Sequence, residues 1–413
     1  MTLIQVSNLL FLVSIALWSG GCQSSDGSPS SSEIPPRGTL SFEEIDVPTG
    51  SESSTPSLHS TAEGEVLVSW VETRMGGGHA LRFARLQDGE WADPKTIAEG
   101  ENWFANWADF PALISLGGDT LAAHFLARNG KGTYSYDVLV TQSIDGGETW
   151  SSPIRPYTDS TKTEHGFVSM LRTEDGTLFA TWLDGRNTRQ SNGAMTLRAA
   201  TLDSDGRLSQ EALLDDRTCD CCQTSSARTE NGFVVAYRDR TNEEIRDIYV
   251  VRMRDGAWSE PETVHRDGWQ INGCPVNGPS VAAKGEFVAI AWFTGAGGTQ
   301  KLNLSFSSDE GHSFWSPIRI DDGRPAGRVH TVLLSDSSVV VSWMERVESG
   351  AEIRVRRIRP DGTFEESSTV ASVTGSRTNG FPRMTLNGYR LYIAWTEAGD
   401  STSIRTAVAI LDS

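Results

Sequence analysis

A short apolar run that returns seven times at nearly constant spacing limits this chain more than any other feature. "VLVSW" ends at Trp70, "LAAH" at His124, "LFATW" at Trp182, "FVVAY" at Tyr237, "FVAIAW" at Trp292, "VVVSW" at Trp343 and "LYIAW" at Trp395, in steps of 51 to 58 residues. Each run is short, rich in β-formers and bounded by Gly, Asp or Ser, which reads as a buried strand. A second mark keeps register with the first, an Asp-Gly type turn seen in "RLQDGEW", "SIDGGETW", "TLDSDGRL", "RMRDGAW", "SSDEGHSFW" and "RIRPDGTF". Another short strand follows each turn, and no helical period intervenes. About four strands per fifty-odd residues, repeated along the chain, is the pattern of a propeller blade. The fold expected is all-β, a β-propeller of seven blades, or six if a terminal unit is irregular. The last copy stops after its third strand, at "IRTAVAILDS". "SFEEIDVP" (41–48) can supply the missing fourth strand and close the ring, leaving no long open sheet edge.

The residues ahead of the repeat have a different character. "LLFLVSIALW" (9–18) is an apolar run of signal-peptide length, followed by Ser19-Gly20-Gly21-Cys22,. This resembles the lipobox of bacterial lipoproteins, which implies lipid on Cys22 and a place on the bacterial cell envelope, periplasmic or outer. "QSSDGSPSSSEIPP" (23–36) reads as a flexible tether,. The organisation expected is a leader over 1–22, a Ser/Pro-rich tether over 23–40 and one propeller domain over 41–413, monomeric, touching membrane only through its anchor. A formal net charge of −18 leaves no basic stripe for a phosphate backbone, so nucleic acid is not an expected partner,.

Two of the turns carry a family resemblance. Ser143-Ile144-Asp145-Gly146-Gly147-Glu148-Thr149-Trp150 and Ser307-Ser308-Asp309-Glu310-Gly311-His312-Ser313-Phe314 resemble the Asp box, S-x-D-x-G-x-[ST]-[WF], of sialidases and related BNR-repeat propellers. Its Asp can accept backbone N–H bonds, its Gly permits positive φ, and its aromatic plugs the gap between strands. The resemblance implies a sialidase-like propeller with its boxes on the face away from the active site. It also implies a glycan or glycoconjugate partner and exo-α-sialidase-type glycoside hydrolysis, with glycan or protein binding without turnover as the alternative.

With strands labelled A to D from the axis outward, the Asp-Gly turns join C to D, so the B–C and D–A loops share the opposite, top face. The tops of the A strands carry Asp109, His165, Gln223, Asn277, Arg328 and Arg383. These are candidates for a polar pocket at the channel mouth, set against the plain reading of a solvated channel lining. Two residues beyond the B-strand aromatic stand Glu72, Asp184, Asp239, Glu345 and Glu397. Arg74, Arg186, Arg238, Arg240 and Arg346 are close by, and local ion pairs are the plain reading. Sialidases hold a sugar carboxylate with three arginines and use a Tyr/Glu nucleophile pair with an Asp acid/base. The resemblance therefore suggests Arg328, Arg383 and Arg238 as an anion clamp, Asp109 as acid/base and Tyr157 as nucleophile, with His165, Gln223, Asn277, Asp184 and Asp239 contacting substrate. The family's F-R-I-P motif is missing; "FPAL" (110–113) and "FPRM" (381–384) are its nearest echoes. Tyr237 stands where five other repeats have Trp and reads as core.

"RTCDCCQ" enters blade 4 and "GWQINGCPVNGP" enters blade 5, which brings Cys219, Cys221, Cys222 and Cys274 together on the top face. An even count outside the cytoplasm favours two disulfides, one from the adjacent pair to Cys274 and the other to Cys219. The alternatives are a soft thiolate site for Cu or Zn, with His165 as a further ligand, and a redox-active thiol.

Overall fold

The computed structural model describes residues 38–50, 52–209 and 211–412; the leader, Cys22 and the tether up to residue 37 lie outside the described residues. Seven antiparallel sheets follow one another along the chain, at 53–100, 112–154, 165–218, 225–265, 280–319, 325–373 and 383–410. The seventh takes its outermost strand from the N-terminus, where Glu43–Ile45 pairs antiparallel with Thr406–Val408. The chain is thus a seven-bladed propeller closed by its own N-terminal strand.

Each repeated aromatic falls on the second strand of its blade, and Trp70, Trp182, Trp292, Trp343, Trp395 and Tyr237 are all essentially inaccessible. They are the reason the blades cohere. Each of the seven interfaces between neighbouring blades has its own apolar cluster. Trp182 shares its cluster with Val138 and Ala122 of the blade before it, and Trp343 with Ala289 and Leu302. Burying one indole of about 200 Å² contributes on the order of 5 kcal/mol before entropy is charged against it.

An indole also carries an N–H that needs a partner once buried. In a strand, residues i and i+2 share a face. The acid two positions on therefore meets the indole: Trp182 Nε1 donates to Asp184 Oδ2 at 2.9 Å, and Trp343 Nε1 to Glu345 Oε2 at 2.8 Å. Trp70 and Glu72 repeat the arrangement at 3.3 Å.

The two Asp boxes fold identically. The Ser143 hydroxyl accepts from Gly147 N at 2.8 Å, while the Asp145 carboxylate takes Thr149 N at 2.9 Å and the Thr149 hydroxyl at 2.6 Å. Ser307, Asp309, Gly311 and Ser313 reproduce these bonds at 2.9, 2.9 and 2.6 Å. Gly147 and Gly311 have φ of 85° and 82°, which is why glycine stands there,.

The tops of the inner strands are irregular, with bulges between Ser54 and Ser57, Gly166 and Ser169, and Gly327 and His330. Thr55, Phe167, Val276 and Arg328 take positive φ there. The freed amides are held by side chains of the preceding blade. Asp109 Oδ1 accepts Phe167 N at 2.8 Å, Gln223 Oε1 accepts Gly278 N at 3.0 Å, and Asn277 Oδ1 accepts Arg328 N at 2.8 Å. Three of the polar residues at the channel mouth are thus fasteners between blades.

Candidate functional site

The D–A and B–C loops enclose a top-face cleft of about 720 Å³. One wall is acidic. Asp109, just ahead of the inner strand of blade 2, and Glu164, just ahead of that of blade 3, both approach the Tyr136 hydroxyl. The distances are 2.7 Å to Asp109 Oδ2 and 2.8 Å to Glu164 Oε1. Burial raises Asp109 from 3.8 to about 7, against the opposing hydrogen bonds from Tyr136 and the Phe167 amide. Burial likewise raises Glu164 from 4.5 to about 8, with the Tyr136 bond opposing and the charge of Asp109 reinforcing. Tyr136 is pushed well above the ordinary phenol range, by burial first and then by the two acids,. Gly166 makes this packing feasible, because a Cβ there would strike the Asp109 carboxylate and the Tyr136 ring.

The other wall is basic. Arg328, Arg346 and Arg377 line it, and burial together with repulsion from Arg346 and Arg377 brings Arg328 down to about 10. Arg328 is fixed by the Ser376 and Gly380 carbonyls at 3.3 and 2.8 Å and lies 4.9 Å from the Trp107 ring centre. Arg346 donates to Gln300 Oε1 and the Pro325 carbonyl, both at 2.7 Å, while Arg377 is exposed. Among the described residues none of the three has an acidic partner within ion-pair distance. Phe104, stacked on Tyr136 at 4.0 Å, and Trp107 give the floor two aromatic faces.

Of the sequence candidates, Asp109, Arg328 and Asn277 line this cleft, as do Cys221 and Cys274. The expected clamp of Arg328, Arg383 and Arg238 is not assembled. Arg238 is buried, with its guanidinium committed to the carbonyls of Asn277, Arg246 and Phe293 at 2.6 to 2.9 Å. Arg383 lies in a separate axial cavity. Tyr157 is a core residue: it is stacked on His165 at 4.6 Å, and its hydroxyl sits 3.0 Å from Val138 N and 3.2 Å from Asp137 Oδ1. His165 is inaccessible, 3.1 Å from Asp159 and 3.7 Å from Asp184, rather than beside the thiols. Asp184 caps Trp182 and takes Arg186 bidentately at 2.7 Å, Gln223 also donates to the Ala108 carbonyl at 2.6 Å, and Asp239 is buried beside Asp215 and Asp247. Tyr237 donates to Asp215 inside the core, as its place in the repeat implies.

Tyr136, Glu164 and Arg377 went unread in the sequence. Glu164 adjoins His165 in "TEHG", one position before the side chain chosen. Tyr136, in "TYSYDVL", looks like any strand aromatic.

Cys221 and Cys274 form a disulfide across the two loops. Cys219 and Cys222 are free and buried, with sulfurs 2.7 Å apart, and Cys219 lies 3.9 Å from Cys221. Burial would raise the Cys219 thiol, but Cys222, the Cys221 amide and the charges of Arg246 and Arg238 outweigh it and bring it down. The three sulfurs form the one cluster with metal-ligand proximity among the described residues. Two thiolates on a tetrahedral zinc at about 2.3 Å would stand about 3.8 Å apart. The 2.7 Å separation suits a covalent bridge better.

Residues 79–324 match the model of the BNR repeat-like domain. None of the curated proteins matches the sequence. Among solved structures, an ulvan lyase is similar with a TM-score of 0.57 and 10% identity, over 88% of this chain and 95% of that one. A protein of unknown function from Dyadobacter fermentans is similar with a TM-score of 0.52 and 16% identity, over 90% and 98%. A sialidase from Streptococcus pneumoniae matches with a TM-score of 0.49 and 9% identity, over 84% and 83%.

Proposed function

This chain belongs to the family of BNR repeat-like domains, and on that premise we propose that it is a carbohydrate-directed enzyme of exo-α-sialidase type that cleaves a terminal sugar bearing a carboxylate. The observation that supports this is one cleft with three arginines lacking acidic partners on one wall and two carboxyls sharing a phenol on the other. Arg328, Arg346 and Arg377 would take the sugar carboxylate, since a guanidinium pairs two N–H donors with two carboxylate oxygens. Tyr136 would attack the anomeric carbon while Asp109, the less raised of the two carboxyls and an acceptor through both oxygens, takes its proton, and Glu164, held protonated near neutral pH, would protonate the leaving oxygen,. Phe104 and Trp107 would stack on the sugar ring. Lipid on Cys22 would hold a monomeric propeller at the bacterial cell envelope. No step calls for a metal.

A second reading, glycan binding without turnover, draws on the full burial of Tyr136. Incubation with a fluorogenic sialoside separates the two. Release that Tyr136→Phe and Arg377→Ala each abolish supports the enzyme. Retention of sialylated glycans by a protein that never releases fluorophore supports the binder and overturns hydrolysis.

A further inference from the structure

The centre of the ring holds a positive charge that the protein does not balance. A cavity of about 190 Å³ lies on the axis and receives wall residues from all seven inner strands, among them Ser57, Ser169, Ser225, Ser280, His330 and Arg383. Arg383 opens the inner strand of blade 7. It keeps intermediate accessibility although it lies deep in the ring, as a side chain facing an internal space does. Among the described residues its guanidinium has no ion pair. Its Nε is shielded from solvent and unpartnered, and its guanidinium carbon lies over the face of Phe110, 5.2 Å from the ring centre. Burial alone pulls it down to about 10, with no neighbouring acid holding it up. Asp109 is the one carboxyl on the cavity wall, and its two oxygens already serve Phe167 N and the Tyr136 hydroxyl.

A buried cation without a counter-charge costs several kcal/mol. Lysine could escape by losing its proton, but arginine stays charged. The remaining remedy is a bound anion, and other donors face the same space. His330 Nδ1 accepts the Met384 amide at 3.1 Å, so in its neutral ring the hydrogen sits on Nε2,. The Ser226 hydroxyl, on the same wall, is buried without a partner.

We propose that the axial cavity is an anion site, and that a small monovalent anion, chloride in ordinary media, rests against Arg383 with His330 and Ser226 as further donors. Arg383, His330 and Ser226 line this cavity and not the cleft, although Asp109 lines both, and the site does not depend on the glycan reading. The anion acts as a rivet, neutralising a charge that the inner strand of blade 7 would otherwise have to bury bare.

Crystals of the full chain grown in bromide in place of chloride test the assignment. An anomalous peak in the axial cavity within reach of Arg383 is expected, and a cavity holding only water overturns it. In solution, the thermal midpoint of the wild type should climb as chloride replaces gluconate at constant ionic strength. Arg383→Gln should lose that dependence, and Ser226→Ala should need several-fold more chloride for the same shift. Equal chloride responses in all three proteins, or none in the wild type, sink the proposal. The bromide experiment on the wild type decides the matter even if Arg383→Gln fails to fold.

Discussion

Asp109 and Glu164 contact the same phenol oxygen, that of Tyr136, at 2.7 and 2.8 Å. A phenol has one hydrogen to donate. It can satisfy one carboxylate, so the second contact is a hydrogen bond only if that carboxyl carries its own proton and donates to the phenol. The cluster therefore holds one proton more than two ionised acids would, in keeping with the upward displacement of both. One acid and one base, linked through a phenol, is a proton inventory suited to acid–base chemistry.

That proton links stability to pH. Asp109 and Glu164 titrate near 3.8 and 4.5 when free and near 7 and 8 in the fold. A raised folded value means the native state binds protons more tightly, so the contribution is complete below about pH 4 and is lost as pH rises through 7 and 8. The thermal midpoint should fall between pH 5 and pH 8. In Asp109→Asn the amide can still donate to the phenol and accept from Phe167 N, so the decline should be shallower. Equal pH slopes for the two proteins in calorimetry would refute the shared proton.

Gly166 tests the packing beneath that cluster. A methyl at this position would drive into Asp109 and the Tyr136 ring, whereas at Gly132 it would meet only ordinary contact with Ser135. Overpacking of this kind costs about 1–3 kcal/mol. Gly166→Ala should lower the denaturant midpoint accordingly and remove turnover, and Gly132→Ala should do neither. The measurement is paired chemical denaturation with the sialoside assay.

The fold was legible because its signal repeats: seven ring-bearing residues at nearly constant spacing each mark a second strand, His124 included, so no single repeat had to be read alone. The site repeats nothing. Asn277 and Gln223 read as polar groups at the channel mouth, yet the neighbouring blade turns a backbone amide toward each of them, Arg328 N at a bulge and Gly278 N two residues past the positive φ of Val276. Positive φ at Phe167, Val276 and Arg328 produces those amides, and no side-chain pattern announces positive φ at a phenylalanine, valine or arginine,. Three of the five B-strand acids, Glu72, Asp184 and Glu345, serve the indole two residues earlier rather than a rim of local ion pairs. That relation was available from the period of a strand. Arg377 opens a single 3-10 turn, Arg377–Asn379, between two strands, and a lone turn has no repeat for spacing to reveal.

If Asn277 is a fastener, its loss should appear in stability. Asn277→Ala leaves the Arg328 amide buried without an acceptor, a cost of about 1–3 kcal/mol. It should lower the denaturant midpoint by that amount. Asn277→Asp, which keeps the acceptor oxygen, should recover most of it. Unchanged stability in Asn277→Ala would return this residue to the list of substrate contacts.

Arg377 separates binding from folding, being exposed and bound to no acid. Removing one charge-assisted contact costs about 1.5–3 kcal/mol, or roughly 10- to 150-fold in affinity. Arg377→Ala should weaken binding of a sialylated glycan by that factor, leaving a neutral glycan and the thermal midpoint unaffected. Isothermal titration with matched acidic and neutral glycans reads the difference, and equal losses for both would remove the clamp from the proposal.

The cysteines close the account of the top face. Cys221–Cys274 ties the loops entering blades 4 and 5, and the Cys219 and Cys222 sulfurs stand 2.7 Å apart beside Arg246, whose Nη1 is 3.3 Å from Cys219. A guanidinium at that distance favours the thiolate, the form that attacks. With diamide as oxidant, Cys219 and Cys222 should surrender two hydrogens to it and join in a second disulfide, as the compartment read from the leader would favour. Intact mass should fall by about 2 Da, from the loss of two hydrogens. Peptide mapping should link 219 to 222 while 221 stays linked to 274. Denatured protein purified without reductant should then present no free thiol among these four. Native mass heavier by a zinc or copper ion, with Cys219 and Cys222 still reduced, would instead make the pair a metal site.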